Sequence, residues 1–319
     1  MCFSAKVEQD LRELSKRFNA EVAWEMYEDL CTRRAAGEDI KLTRALERNF
    51  INPESPVAQR TKAAIDDYKS ALATRWETDI FAQRRRKADA EESLQHKDTK
   101  RAREDVRIAS KKIPSLLNKL ADLRRREPRQ SDGRIFSMTY APVIVQLNGR
   151  TSIVPMRYGC RLAGKPASYD KRFPGTYNAR RDNLSGFWNQ IYGHKHAVMV
   201  ISEFYENVPL HLYEHRELKP SEESQNLVLQ FTPQPPTEML VACLWDRWTG
   251  PGAQDLYSFT AVTDDPPEEI AATGHQRCVI ALRENNLQEW LSPSAVSRER
   301  LESILSDKER PYYEHRLAA

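Results

Sequence analysis

Glycine is nearly absent from the first 132 residues: of the 11 in the chain, only Gly37 precedes Gly133. That stretch is rich instead in Ala, Leu, Glu, Lys and Arg, which is the composition of helix. Long apolar runs are missing too. None approaches the ~20 residues that a helix needs to span a bilayer. Lys6 is not followed by an apolar segment, which excludes a signal peptide. Cysteine is sparse: Cys2, Cys31, Cys160, Cys243 and Cys278 are scattered, odd in number and form no CxxC pair. A disulfide framework is therefore not expected. His96, His194, His196, His211, His215 and His315 show no metal-ligand spacing, so neither a metal nor another cofactor is expected. There is no internal repeat and no low-complexity tract. A soluble protein of the reducing cytoplasm fits these absences.

What is present falls into two textures. Over the whole chain charged residues make up 30% and the net charge is only +3, so a nucleic-acid surface has to be a local patch. From residue 7 to 128 the pattern is helical. Val7, Leu11, Leu14 and Phe18 recur at helical spacing. Further helices are predicted over 21–34, ending near Gly37, and over 42–50, stopped by Asn52-Pro53. A long charged helix follows over 57–112, and Pro114 is predicted to kink or break it. Basic residues outnumber acidic ones by about seven between Val57 and Glu127. This region reads as a solvated helical hairpin, with an arm for DNA or for a protein partner as the alternatives. After Gly133 short β-rich runs take over: 135–140, 143–147, 152–156, 197–201, 227–231, 239–244, 257–262 and 277–282. Asn148-Gly149 is a hairpin-turn signal. Short helices are predicted after Asn286 and over 295–305. The fold class expected is α+β: a mainly β domain with flanking helices and an inserted charged helical region.

The residues able to carry chemistry are few. Removal of Met1 would leave Cys2 with an α-amine and a thiol on adjacent carbons, with reference pKa values of roughly 8 and about 8.5. Such a 1,2-aminothiol attacks an aldehyde twice, first as an imine-forming amine and then as a ring-closing thiolate. Glu206 follows a buried strand, where a carboxylate can orient an amine and shuttle protons. His275 lies in a turn before a strand, a place for a general acid or base. Asn178 donates and accepts hydrogen bonds without changing charge. Arg180 and Arg277 are natural phosphate ligands.

Taken in order, Met1-Cys2, Ala141-Pro142, Met156-Arg157-Tyr158-Gly159, Asn178-Ala179-Arg180-Arg181-Asp182, Glu203-Phe204-Tyr205-Glu206, Ala242-Cys243-Leu244-Trp245 and His275-Gln276-Arg277 resemble the motifs of the SOS-response-associated peptidase (SRAP) family. The resemblance covers the N-terminal tip (1–6) and the β-rich domain (133–319), and leaves 7–128 as an insertion. It implies a DNA-damage-response protein that forms a covalent thiazolidine with abasic sites in single-stranded DNA and shields them from strand breakage. It also implies peptidase activity that removes Met1. Cys2 would be the nucleophile, and Asn178 would hold it and the opened sugar. Glu206 would position the amine and move protons, and His275 would assist ring opening. Arg180 and Arg277 would bind phosphates, with Pro142 and Tyr158 as further DNA contacts, Tyr158 offering a stacking face. On that reading the protein is nucleoid-associated when bound to DNA. Departures from the family pattern fall at Phe3, Ser4, Tyr158 (in place of the strand tryptophan), Glu203, Asn207 and Cys278-Val279, around the site rather than in it. The competing readings are an N-terminal-nucleophile amidohydrolase acting on ordinary amides and a non-enzymatic nucleic-acid-binding protein that uses the basic helical arm.

Overall fold

The computed structural model describes residues 4–250 and 252–318. The chain divides into two compact units. One comprises 4–27, 40–52 and 130–318; the other comprises 28–39 and 53–129. The first unit takes in more of the N-terminal region than the tip expected from the sequence. β1 (Ser4–Val7), α1 (Leu11–Phe18) and β2 (Glu21–Val22) all belong to it. Val7, which shares a helical spacing with Leu11, ends β1 and pairs with Ile201. The helix starts only after Asp10, whose side chain accepts from the backbone N–H groups of Arg12 and Glu13. Asn19, at φ 46°, closes it.

α2 (Trp24–Ala35) and α3 (Arg44–Glu47) precede the helical hairpin of α4 (Pro56–His96) and α5 (Lys100–Arg124). Ser55 caps α4 with Pro56 in the first turn, where a missing N–H costs nothing. The break expected at Pro114 falls elsewhere, at residues 97–99, and Pro114 lies inside α5. Thr99 supplies the reason for the observed start, since its hydroxyl accepts from Ala102 N–H. A proline inside a helix removes one backbone bond and crowds the preceding turn, at about 3 kcal/mol. The burial of Ile80, Ala90, Ala102, Ala109 and Leu120 in the helical unit offsets this.

The sheet unit holds the remaining elements. They are β3 (Arg134–Phe136), β4 (Tyr140–Leu147), β5 (Arg150–Tyr158), α6 (Tyr169–Arg172), β6 (Asn178–Arg180), β7 (His196–Pro209), α7 (Leu210–Tyr213), β8 (Asn226–Gln234), β9 (Met239–Trp248), β10 (Leu256–Asp264), α8 (Glu268–Ala271), β11 (Cys278–Val279), β12 (Ala281–Leu282), α9 (Leu287–Leu291), α10 (Arg298–Ser306) and β13 (Tyr312–Leu317). The fold is α+β. Hydrogen bonding runs in a closed circuit, β9–β10–β5–β4–β7 and back to β9, so these five strands leave no open edge between them. Residues 196–201 of β7 lie between β4 and β9 and are buried without alternation, as a strand covered on both faces requires. Val143, Val145, Val154, Met156, Met199, Ile201, Val241 and Phe259 fill the core. Asn148 and Gly149, at φ 52° and 78°, make the tight turn between β4 and β5.

β7 outruns the circuit. Its C-terminal half pairs with β1 on one side, Ser4 opposite Tyr205, and with β8 on the other, Glu206 opposite Leu229. The first described residues of the chain are thus stitched beside the strand that carries Glu206.

Candidate active site

Glu206 is fully buried in β7. His275 follows Gly274, which bends the chain at φ +86° after α8. A Cβ at Gly274 would stand 2.7 Å from Leu212 Cβ and 3.2 Å from the Leu212 carbonyl carbon. Only glycine meets both demands, so this turn and α7 together fix where His275 sits. The His275 Nδ1 lies 2.8 Å from the Arg277 carbonyl oxygen, a contact that needs a proton on Nδ1. Its Nε2 is 3.3 Å from Glu206 Oε2. Burial pushes the His275 ring down to about 3, so it is uncharged at neutral pH. With Nδ1 protonated, the neutral ring turns a lone pair toward the carboxyl. An imidazole nitrogen facing a carboxyl at this distance is the arrangement of an acid–base pair.

His196 shows the contrast. It too is buried and pushed down to about 3 by burial. Its Nδ1 donates to the Trp290 carbonyl at 3.0 Å, and its Nε2 accepts from Gly193 N–H at 2.9 Å. Both nitrogens are used by the backbone, so His196 holds structure and exchanges no proton with a side chain.

The cysteines separate in the same way. Cys31, Cys160, Cys243 and Cys278 are all buried. Burial raises the thiols of Cys160 and Cys243, and raises that of Cys278 to about 12, with the neighbouring Glu206 carboxylate adding to it. None of these three forms thiolate at neutral pH. Cys2 lies outside the described residues.

Asn178 and Arg180 sit on β6, which pairs in parallel with β10. Thr263 of β10 faces Arg180 on one side and Val279 of β11 on the other. The strand carrying Asn178 and the one that follows His275 therefore flank β10 at one level. Asn178 is buried. Arg180 and Arg277 converge on one anion: Arg180 Nε donates to Asp182 Oδ1 at 3.0 Å, and Arg277 Nη2 is 3.9 Å from Asp182 Oδ2. Asp265 stands 3.5 Å from Arg277 Nη1. The ion-pairing role of Asp182 was not read from the sequence, although its spacing two residues after Arg180 is a usable signal. Beside His275 an open cleft of about 740 Å³ is lined by Leu212, His215, Arg216, Asp265 and Gln276 among others.

Two expected DNA contacts are corrected. Tyr158 has no exposed surface: its ring packs against Tyr177 at 5.5 Å and Phe259 at 5.2 Å, and offers no face to a base. Pro142 is buried in β4 opposite Pro155 of β5. Both stand in the closed circuit of strands, where side chains serve packing.

The family model described as SOS response associated peptidase (SRAP) matches residues 81–317. The match therefore takes in part of the helical hairpin as well as the sheet. No curated protein matches the chain. Among solved structures, a protein from Bacteroides thetaiotaomicron aligns with TM-score 0.47 and 13% identity, covering 59% of this chain and 78% of its own. A protein from Bordetella bronchiseptica aligns with TM-score 0.45 and 15% identity, covering 61% of this chain and 90% of its own.

Proposed function

Because the chain belongs to the SOS response associated peptidase family, which ties it to the response to DNA damage, we propose that it captures abasic sites in single-stranded DNA as a covalent thiazolidine on Cys2. The observation that carries this reading is the buried His275–Glu206 contact of 3.3 Å, on a strand paired with the first described residues of the chain. Ser4 lies opposite Tyr205, one residue from Glu206, and two peptide links hold the Cys2 Cα within about 7.6 Å of that of Ser4.

The chemistry runs as follows. Met1 is removed and the α-amine of Cys2 is freed. His275 Nε2 takes the proton of the C1′ hydroxyl as the C1′–O4′ bond breaks and returns it to the ring oxygen, which gives the open-chain aldehyde. The neutral amine adds to the aldehyde carbon, water leaves, and an imine forms. The Cys2 thiolate adds to the imine carbon and the nitrogen takes up a proton, which closes the five-membered ring. Glu206 serves as the proton relay for the amine, and Asn178 holds the opened sugar. A closed thiazolidine is not an iminium, so the β-elimination that breaks an abasic strand has no starting point. Arg180 and Arg277 bind the flanking phosphates in place of Asp182. Ser4, where the family pattern has arginine, accepts from Arg134 Nε at 2.9 Å, so a guanidinium from β3 stands at that position.

The test is mass spectrometry of the protein after incubation with an abasic single-stranded oligonucleotide. The reading expects a heat-stable adduct on the peptide that begins with Cys2. An equal yield from Cys2→Ala would overturn it. Turnover of small amides without any DNA requirement would favour a general amidohydrolase instead.

A further inference from the structure

We propose that the helical hairpin carries a second, non-covalent binding surface for single-stranded nucleic acid, centred on Phe81. The charges of the hairpin are segregated along its length. Residues 80–88 of α4 hold Arg84, Arg85, Arg86 and Lys87 without one acid, and residues 106–121 of α5 hold Arg107, Lys111, Lys112 and Lys119 without one acid. The acids lie to either side: Asp66, Asp67, Glu77 and Asp79 before the first stretch, and six from Asp89 to Asp105 between the two. Two ion pairs across the hairpin, Arg86–Asp105 and Arg124–Glu77, bracket the register, so that 77–86 of α4 runs beside the stretch of α5 around Lys111 to Lys119. The two acid-free stretches therefore lie side by side and form one basic band. Arg85, Arg86, Lys87 and Arg107 pair with Asp89, Asp105, Glu91 and Glu104, whereas Arg84, Lys111, Lys112 and Lys119 have no acidic partner within 4.0 Å among the described residues.

The second observation is Phe81. At 71% exposure it is the most exposed large apolar side chain among the described residues. Arg84 and Arg85 follow at i+3 and i+4, on the same helix face. An aromatic ring open to solvent and flanked by guanidinium groups matches what a flexible strand offers: bases to stack on the ring and phosphates for the cations. A duplex keeps its bases stacked inside and has none to lay on the ring. Single-stranded nucleic acid uses both.

The test is fluorescence anisotropy of the full chain with labelled oligo-dT that carries no abasic site, read over a series of salt concentrations. Phe81→Ala should weaken binding roughly five- to tenfold with the salt slope unchanged, since stacking releases no counterions. Arg84→Ala/Lys111→Ala/Lys112→Ala should weaken binding and make the slope of log K against log salt shallower by about two. Lys111→Arg/Lys112→Arg should restore the slope, which separates charge from packing. Circular dichroism confirms that each variant keeps its helix. Adduct formation on Cys2 is scored separately by mass spectrometry with an abasic oligonucleotide, so a failed crosslink and a failed band are told apart. Unchanged affinity and slope in both the Phe81 and the triple variants would overturn the proposal and leave the band to a protein partner.

Discussion

Asp182 stands between Arg180 and Arg277 and holds the place that a phosphate would take. It is an exposed carboxylate, and an exposed ion pair contributes about 0–1 kcal/mol. Removing its charge should therefore help an incoming strand rather than loosen the fold. Asp182→Asn is expected to tighten binding of undamaged single-stranded DNA by up to about fivefold at low salt, read by anisotropy. A weaker complex would mean that Asp182 orients the two arginines instead of competing for them. Glu206 and His275 were legible in the sequence because each follows or precedes an apolar run that had to be a strand. Their meeting was not legible, since it depends on β7 and on the turn after α8 arriving together. Tyr158 marks the opposite limit. Its residue type fits a stacking role, but only the closed strand circuit shows that β5 turns it inward against Phe259.

At the scale of elements, the longer core strands were readable because apolar runs of four to eight residues between turn residues have few other solutions. β1, β2, β6 and β13 were not, and Glu21–Val22 falls in a stretch expected to be helix. The four residues of β1 carry no period of their own, and Val7 happens to share a helical spacing with Leu11. What makes Ser4–Val7 a strand is the edge that β3 and β7 offer it from some 130 and 200 residues away. The helical hairpin errs in the other direction. Pro114 is a strong local signal for a break, yet α5 passes through it while the chain turns at 97–99. Tertiary burial along the hairpin outweighs one lost backbone bond. If so, Pro114→Ala restores that bond and should raise the stability of the hairpin by up to about 3 kcal/mol, read by urea unfolding followed at the helix signal. An unchanged midpoint would mean that the backbone around Ser110 has already adapted to the ring.

At the scale of the molecule, two buried uncharged histidines couple folding to pH. His196 and His275 are both held near 3 by burial, against about 6.5 when free. Their folded values are depressed, so the stability they contribute is fully present above about pH 6.5 and is lost as pH falls toward 3. In that window the unfolded chain binds two protons that the folded chain does not. Each costs up to about 1.4 kcal/mol per pH unit. Urea titrations at pH about 7.5 and about 5.5 should show lower stability at the acid value, and His275→Gln should reduce the difference. Equal stability at both would contradict the burial of the two rings. The buried pair of Glu206 and His275 is also where fold and proposed chemistry meet, and its purpose is judged by the product it forms. The decisive measurement is the mass of the N-terminal peptide after reaction with abasic single-stranded DNA. The account predicts a heat-stable adduct on Cys2, absent from Cys2→Ala and slow to form in His275→Ala and Glu206→Ala. An adduct of equal yield without Cys2 would contradict it.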